Sequence, residues 1–170
     1  MIDYHDTRWC KPEHREQELF AMLILEGAQA GLSWATILAK EATYRTLFAG
    51  FDPSVVAAFD ESDIASLLGN PGIVRNRRKI AAAVTNARAF LAVQAEFGSF
   101  DRYIWGFTGQ KVIDHHLISL AMMPAKNDLS TSISKDLKKR GFSFVGPTIV
   151  YSYLQAIGII NDHLEDCPFR

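Results

Sequence analysis

Glu26 stands in a setting unusual for a carboxylate. Leu19, Leu23, Glu26 and Ala30 fall at i, i+4, i+7 and i+11, so a helix over this stretch puts Glu26 on its inward stripe. A buried carboxylate costs free energy unless something pairs with it. Two readings follow: a core glutamate tied to a backbone amide or an arginine, or a carboxylate awaiting a polar ligand. Tyr4, Trp9 and Trp34 are neighbours of this region in sequence or at a helix end. Each alone is more often core than pocket, because aromatics dominate cores; beside Glu26 they tilt the balance toward a pocket. His163 and Cys167 are four apart and would share a helix face, an imidazole–thiolate pair that suits Zn²⁺ but makes an incomplete site. His14, His115 and His116 have no partners at a useful spacing and read as surface residues.

The net charge of −1 does not mark a nucleic-acid binder, so any basic surface must be local. Two runs supply one: Arg75 to Lys79, and Lys135 with Lys138, Lys139 and Arg140. The turn Gly69–Gly72 followed by Arg75, Arg77, Arg78 and Lys79 is a phosphate candidate, although part of that run reads as a solvated face. Phe142 to Thr148 is another. With Gly146 at the tight turn and Pro147 opening a helix, backbone N–H groups and a helix N-terminus would hold a phosphate without reading sequence. A plain helix–helix turn is the alternative. If these groups hold phosphates, affinity falls steeply with salt.

The elements that must position these residues read as helices punctuated by glycine. Leu19, Phe20, Leu23 and Ile24 recur at helical spacing, with Gly31 as a left-handed stop. Ser33 caps a helix carrying Trp34, Ile37, Leu38, Tyr44 and Leu47. Asp52-Pro53 opens the next, and Asp60 with Asp63 another. A long helix carries Ile80, Val84, Ala87 and Leu91 on one face and stops at Gly98, and Ser99 caps a short helix through Trp105. Thr108 to about Asn127 reads as an irregular connection. A helix over Ser132 to Arg140, a hairpin over Gly141 to Gly146 and a helix over Pro147 to Ile157 follow. No run alternates with period two, so the expected fold class is all-α.

The 170 residues suit a single domain spanning 1–170, or two small helical lobes with a cleft between them. At 48% hydrophobic the chain can bury a real core, and no apolar run approaches the roughly 18 residues of a membrane span. Nothing after Met1 reads as a signal peptide, and two cysteines make no disulfide framework. A cytoplasmic protein with no membrane partner is the expectation.

Tyr4-His5-Asp6, Trp9, Pro12 and the run LEGAQAGLSW (Leu25 to Trp34) resemble the 3-methyladenine DNA glycosylase I family. So do Lys138 to Gly146 (KKRGFSFVG) and the ending Asn161-Asp162-His163 with Cys167. The likeness runs from Tyr4 to Pro168 in one order. It implies a compact helical fold of the helix-hairpin-helix glycosylase type. The implied activity is hydrolysis of the N-glycosidic bond of 3-methyladenine in alkylated double-stranded DNA, by a monomer without organic cofactor. By resemblance Glu26 would hydrogen-bond the edge of the flipped base as recognition residue and electrostatic stabiliser. Trp34 would stack on the base, with Tyr4 and Trp9 as the other aromatic walls. Arg78, Lys79, Lys139, Gly141, Gly146 and Thr148 are the expected DNA contacts. Compared with the wider superfamily's hairpin, Phe144 replaces the first glycine.

The resemblance also matches His5, His163 and Cys167 to three of the family's four structural zinc ligands. The fourth, a cysteine ahead of His5, has no counterpart among these residues. Cys10, water or the terminal amine would have to replace it, and Cys10 stands where the family usually has Gly. Relatives in the superfamily place a catalytic Asp after the hairpin helix; Asp162 lies near there and reads equally as a turn or cap residue. Two rival readings remain: a DNA-binding helix-hairpin-helix module without catalysis, and a zinc hydrolase of a small molecule with Glu26 as base.

Overall fold

The computed structural model describes residues 1–170. It is built from nine α-helices: α1 (Ile2–Thr7), α2 (Glu16–Gln29), α3 (Trp34–Leu47), α4 (Pro53–Ala57), α5 (Glu61–Gly69), α6 (Arg77–Phe97), α7 (Phe100–Gly106), α8 (Asp128–Lys139) and α9 (Pro147–Ala156). The expected all-α class holds, with one small addition. Ile113–Asp114 (β1) pairs in parallel with Ile160–Asn161 (β2), stitching the irregular connection to the C-terminal segment.

Local chemistry sets most boundaries. Ser33 accepts from the Thr36 N–H and starts α3 at Trp34. Asp52 caps α4 with Pro53 as its first residue, and Asp60 and Asp63 form a reciprocal capping box on α5. Gly98 ends α6 at φ +87°. Helix α8 begins at Asp128, four residues ahead of the sequence expectation, because Asn127 and Ser130 cap each other's backbone N–H groups.

Helix α2 is the hub. Every residue from Leu19 to Ala28 is buried, and the helix packs against α3, α6, α7 and α9. One apolar cluster runs from Leu19 to Ile160, including the ring stack of Phe90 on Phe100 at 4.2 Å. Each such fully buried phenylalanine contributes about 1.5–3 kcal/mol. Glu26 sits inside this helix, one turn from its C-terminal end. The last carbonyls of α2 do not hang free, since Lys79 on α6 donates its ammonium to Ala28 O at 2.9 Å and Ala30 O at 2.6 Å.

Candidate active site

A cavity of about 300 Å³, small on the scale of ligand sites, opens between α1, the C-terminal half of α2, the start of α3 and α9. Tyr4, Trp9, Trp34, Glu26, Ser152 and Gln155 line it. The structure therefore brings together all four residues expected to make a pocket. The Tyr4 and Trp34 rings meet at 5.3 Å and 56°, forming a corner rather than a stack. Tyr4 is held by its neighbours. Arg8 lies 5.3 Å over its ring and is itself fixed by a two-pronged pair with Glu41 at 2.8 and 2.9 Å. Burial, and then the nearby Glu26, raise the Tyr4 phenol well above its ordinary range, so it stays a neutral donor.

Glu26 is 4% exposed and its carboxylate has no hydrogen-bond or ion-pair partner in the protein. The only fully enclosed side-chain polar atom without a partner is Trp34 Nε1, so the Glu26 oxygens open onto the cavity. Burial alone pushes its carboxyl up to about 8. That excludes the first sequence reading, a core glutamate tied to an amide or arginine. What remains is an unpaired acid facing an aromatic-walled space, ready to be ionised by a positively charged guest.

Behind Trp9, the chain ends meet. His5, His163 and Cys167 place their ligand atoms within 4.8 Å of one another. Nδ1 of His5 faces Asp6 Oδ1 at 2.7 Å and Nδ1 of His163 faces Asn161 Oδ1 at 3.0 Å, while His163 Nε2 lies 3.4 Å from His5 O and His5 Nε2 4.0 Å from Cys167 Sγ. Burial lowers the pKa of the His163 imidazole, which favours the neutral form that ligates metals. Cys10 does not join them. It is buried, its Sγ accepts from the Asp162 N–H at 3.4 Å, and burial pushes the thiol up to about 12. Its backbone is left-handed at φ +58°, a conformation that costs a non-glycine residue.

One residue from each basic run meets the other beside the turn between α8 and α9. Arg78 and Lys138 line one groove of about 550 Å³ with Ser143 and Phe144. Lys139, Gly141 and Thr148 are exposed nearby in the chain. Lys79, by contrast, is turned inward to the end of α2 and offers no free charge there. The expected position of Gly146 also needs correcting. It is extended at φ −63° and ψ 159°, capping α9, while the left-handed residues of the turn are Gly141 and Phe144. Two side chains hold this turn: Asn86 of α6 pairs with both the N–H and the C=O of Ser143 (2.7 and 2.9 Å), and Ser134 Oγ donates to Val145 O at 2.6 Å. Phe144 lies against Gly27, next to Glu26, where an added Cβ would meet its own Cβ at 3.4 Å.

Sequence spacing did not reveal Gln155, nor the part that Asp162 and His115 play beside it. Asp162 is 1% exposed and accepts from Tyr151 Oη at 2.6 Å and Gln155 Nε2 at 2.7 Å, with His115 Nδ1 2.6 Å from its other oxygen. Asp162 is thus neither a turn nor a cap residue, and His115 is not a free surface residue. The period of α9, which puts Tyr151 and Gln155 on one face, is a signal that could have found Gln155.

Residues 1–170 match the methyladenine glycosylase family throughout. The DNA-3-methyladenine glycosylase of Haemophilus influenzae is 45% identical over 169 residues, 99% of this chain and 91% of that protein. The crystal structure of a 3-methyladenine DNA glycosylase I superposes with a TM-score of 0.96 at 46% identity, covering 98% of this chain and 92% of the other. A variant of 3-methyladenine DNA glycosylase I in complex with 3-methyladenine superposes with a TM-score of 0.97 at 38% identity, covering 99% and 90%. With the cavity, its acid and its aromatic walls in the places the motifs imply, this chain belongs to the methyladenine glycosylase family.

Proposed function

We infer that this chain is a base excision repair enzyme that hydrolyses the N-glycosidic bond of 3-methyladenine in alkylated DNA. The observation that carries the reading is the unpartnered Glu26 carboxyl on an aromatic-walled cavity of one-base scale. A 3-methyladenine nucleotide is cationic. An aromatic face attracts it by about 0.5–2 kcal/mol, and a desolvated carboxylate prefers it to neutral adenine. Flipping is cheapest for a damaged base, which adds to selection. As water adds to the sugar C1′, the C–N electron pair moves into the ring and cancels its charge, and the proton of the attacking water leaves to solvent. The base departs neutral, so Glu26 binds and stabilises without having to act as a strong acid. Release of free 3-methyladenine from alkylated DNA tests the reading; a protein that binds such DNA and releases none contradicts it.

The whole chain works as one DNA glycosylase domain, a cytoplasmic monomer on double-stranded DNA. The turn between α8 and α9 serves as a helix-hairpin-helix phosphate clamp, and Arg78, Lys138 and Lys139 add charge to it. Support comes from Arg78 and Lys138, one residue of each basic run, lining a single groove beside that turn. Asn86→Ala is expected to leave the Ser143 amide and carbonyl without partners, destabilising the fold by about 1–3 kcal/mol. It should also raise KM for methylated DNA severalfold while affinity for free 3-methyladenine stays within twofold; equal losses in both would contradict a clamp role.

His5 Nε2, His163 Nε2 and Cys167 Sγ would hold a structural zinc ion that fastens the chain ends and leaves the chemistry to the cavity. The support is a donor set with both Nδ1 atoms already engaged. Metal analysis of purified protein is expected to give one zinc per chain. A strong chelator is expected to lower the melting temperature and to weaken base binding through Tyr4 and Trp9, and zinc-free protein with unchanged melting would sink the assignment.

A further inference from the structure

Gln155 lines the cavity from α9 and is 6% exposed. Its amide has one orientation. Nε2 donates to Asp162 Oδ2 at 2.7 Å and faces Met123 Sδ at 3.4 Å. A carboxylate and a thioether only accept, so both sides demand the NH₂ group. Asp162 is pinned in turn by Tyr151 Oη and His115, and its backbone N–H is bound to Cys10. Oε1 is left without a protein partner yet is not enclosed, so it opens onto the same free space as the Glu26 oxygens. The cavity therefore offers acceptors from two walls, α2 and α9.

Adenine carries an exocyclic amine with two N–H donors, where guanine and hypoxanthine carry a carbonyl acceptor. We propose that Gln155 is a specificity-determining residue: its Oε1 and the Glu26 carboxylate each accept one N–H of the adenine amine. The inference rests on the excision of 3-methyladenine proposed above. Asp162 touches Gln155 and not the base, so it is a positioning residue. A 6-carbonyl purine in the same place would set its oxygen against Gln155 Oε1, and against the Glu26 carboxylate as well once that group is ionised, and leave buried groups unpaired, which is how hydrogen-bonding sites reject near-isosteres.

Quenching of tryptophan fluorescence, with Trp9 and Trp34 in the cavity walls, can report equilibrium binding of free 3-methyladenine and 3-methylhypoxanthine. Wild type is expected to prefer the adenine. Gln155→Met should weaken 3-methyladenine roughly tenfold, the worth of one hydrogen bond, while 3-methylhypoxanthine holds or gains. Gln155→Asn, which withdraws the acceptor by one methylene and keeps an amide, should move the ratio the same way. Asp162→Asn frees the Gln155 amide to turn over and should narrow the preference with Gln155 still present. A purely structural role would weaken both bases alike. Variants that keep the wild-type ratio overturn the role of Gln155 alone. A wild type that binds neither base and releases no methyladenine overturns the excision reading and this inference with it.

Discussion

Glu26→Gln is expected to make the protein more heat-stable in alkaline solution and 10- to 100-fold slower at excision. The two effects share one cause. Burial with no partner holds the Glu26 carboxyl near 8, against an ordinary value of 4.5. Below pH 4.5 it is protonated in both folded and unfolded chains and contributes nothing to the pH dependence. Between 4.5 and 8 the unfolded chain loses the proton and the folded one keeps it, so stability falls as pH rises. Above 8 the full cost is present, at most roughly 5 kcal/mol at about 1.4 kcal/mol per pKa unit. Water reaching the open cavity lessens it, and about 2–4 kcal/mol is expected at pH 8.5. Glutamine is neutral throughout, so melting curves of variant and wild type should converge near pH 5 and separate above pH 7. Excision goes the other way, because a cation needs the carboxylate and a charged hydrogen bond is worth about 1.5–3 kcal/mol. Wild-type excision at low substrate should climb as pH approaches 8 and the variant should lack that limb. Unchanged turnover, or parallel stability curves, would refute the role of Glu26.

Such opposed effects mark a residue kept for function against the fold, and they show which parts of the site were legible in the sequence. The caps were legible because their signals are local. Ser33, Asp52 and Asp60 satisfy N–H groups two or three residues away, so the start of α3, and with it the place of Trp34, follows from a short window. The helical phase of Glu26 says little about its burial. Helix α2 buries all its faces from Leu19 to Ala28, so almost any phase would have placed residue 26 inside. The family motifs, not periodicity, separated a pocket acid from a core one. The missed residues are those whose role depends on groups far off in sequence. His115 reaches Asp162 across 47 positions, and Lys79 reaches Ala28 across 51. Nothing in a charge run tells that one of its five residues turns back to cap another helix.

Gly158→Ala is expected to be the most damaging small substitution in the chain. Gly158 has φ +74°, and an added Cβ would lie 2.3 Å from Lys11 C and 2.4 Å from Lys11 O and Pro12 N. These are backbone atoms that cannot rotate aside, so the 10–13 segment would have to retreat by more than 1 Å, given ordinary carbon contacts of about 3.5–4.0 Å. That segment is bonded to the end of α9 through Cys10 N to Gln155 O at 2.9 Å and Glu13 N to Ile157 O at 3.0 Å. Loss of those bonds, the left-handed alanine and the displaced packing together should cost about 3–5 kcal/mol, a large share of the roughly 5–15 kcal/mol that holds a typical protein folded. The melting temperature should fall by roughly 10 °C. Gly31→Ala is the control, with φ +80° and nothing within 4 Å of the added atom, so it carries the backbone strain without the collision. It should cost about 1–2 kcal/mol. The collision also has a functional consequence that stability alone does not. Tyr4, His5 and Trp9 precede the displaced segment, so base affinity should drop even at temperatures where the Gly158 variant stays folded, while α2 still presents Glu26. Equal melting of the two variants, or intact base binding by Gly158→Ala, would mean that the contact between residue 158 and the 10–13 segment does not hold the aromatic wall in place.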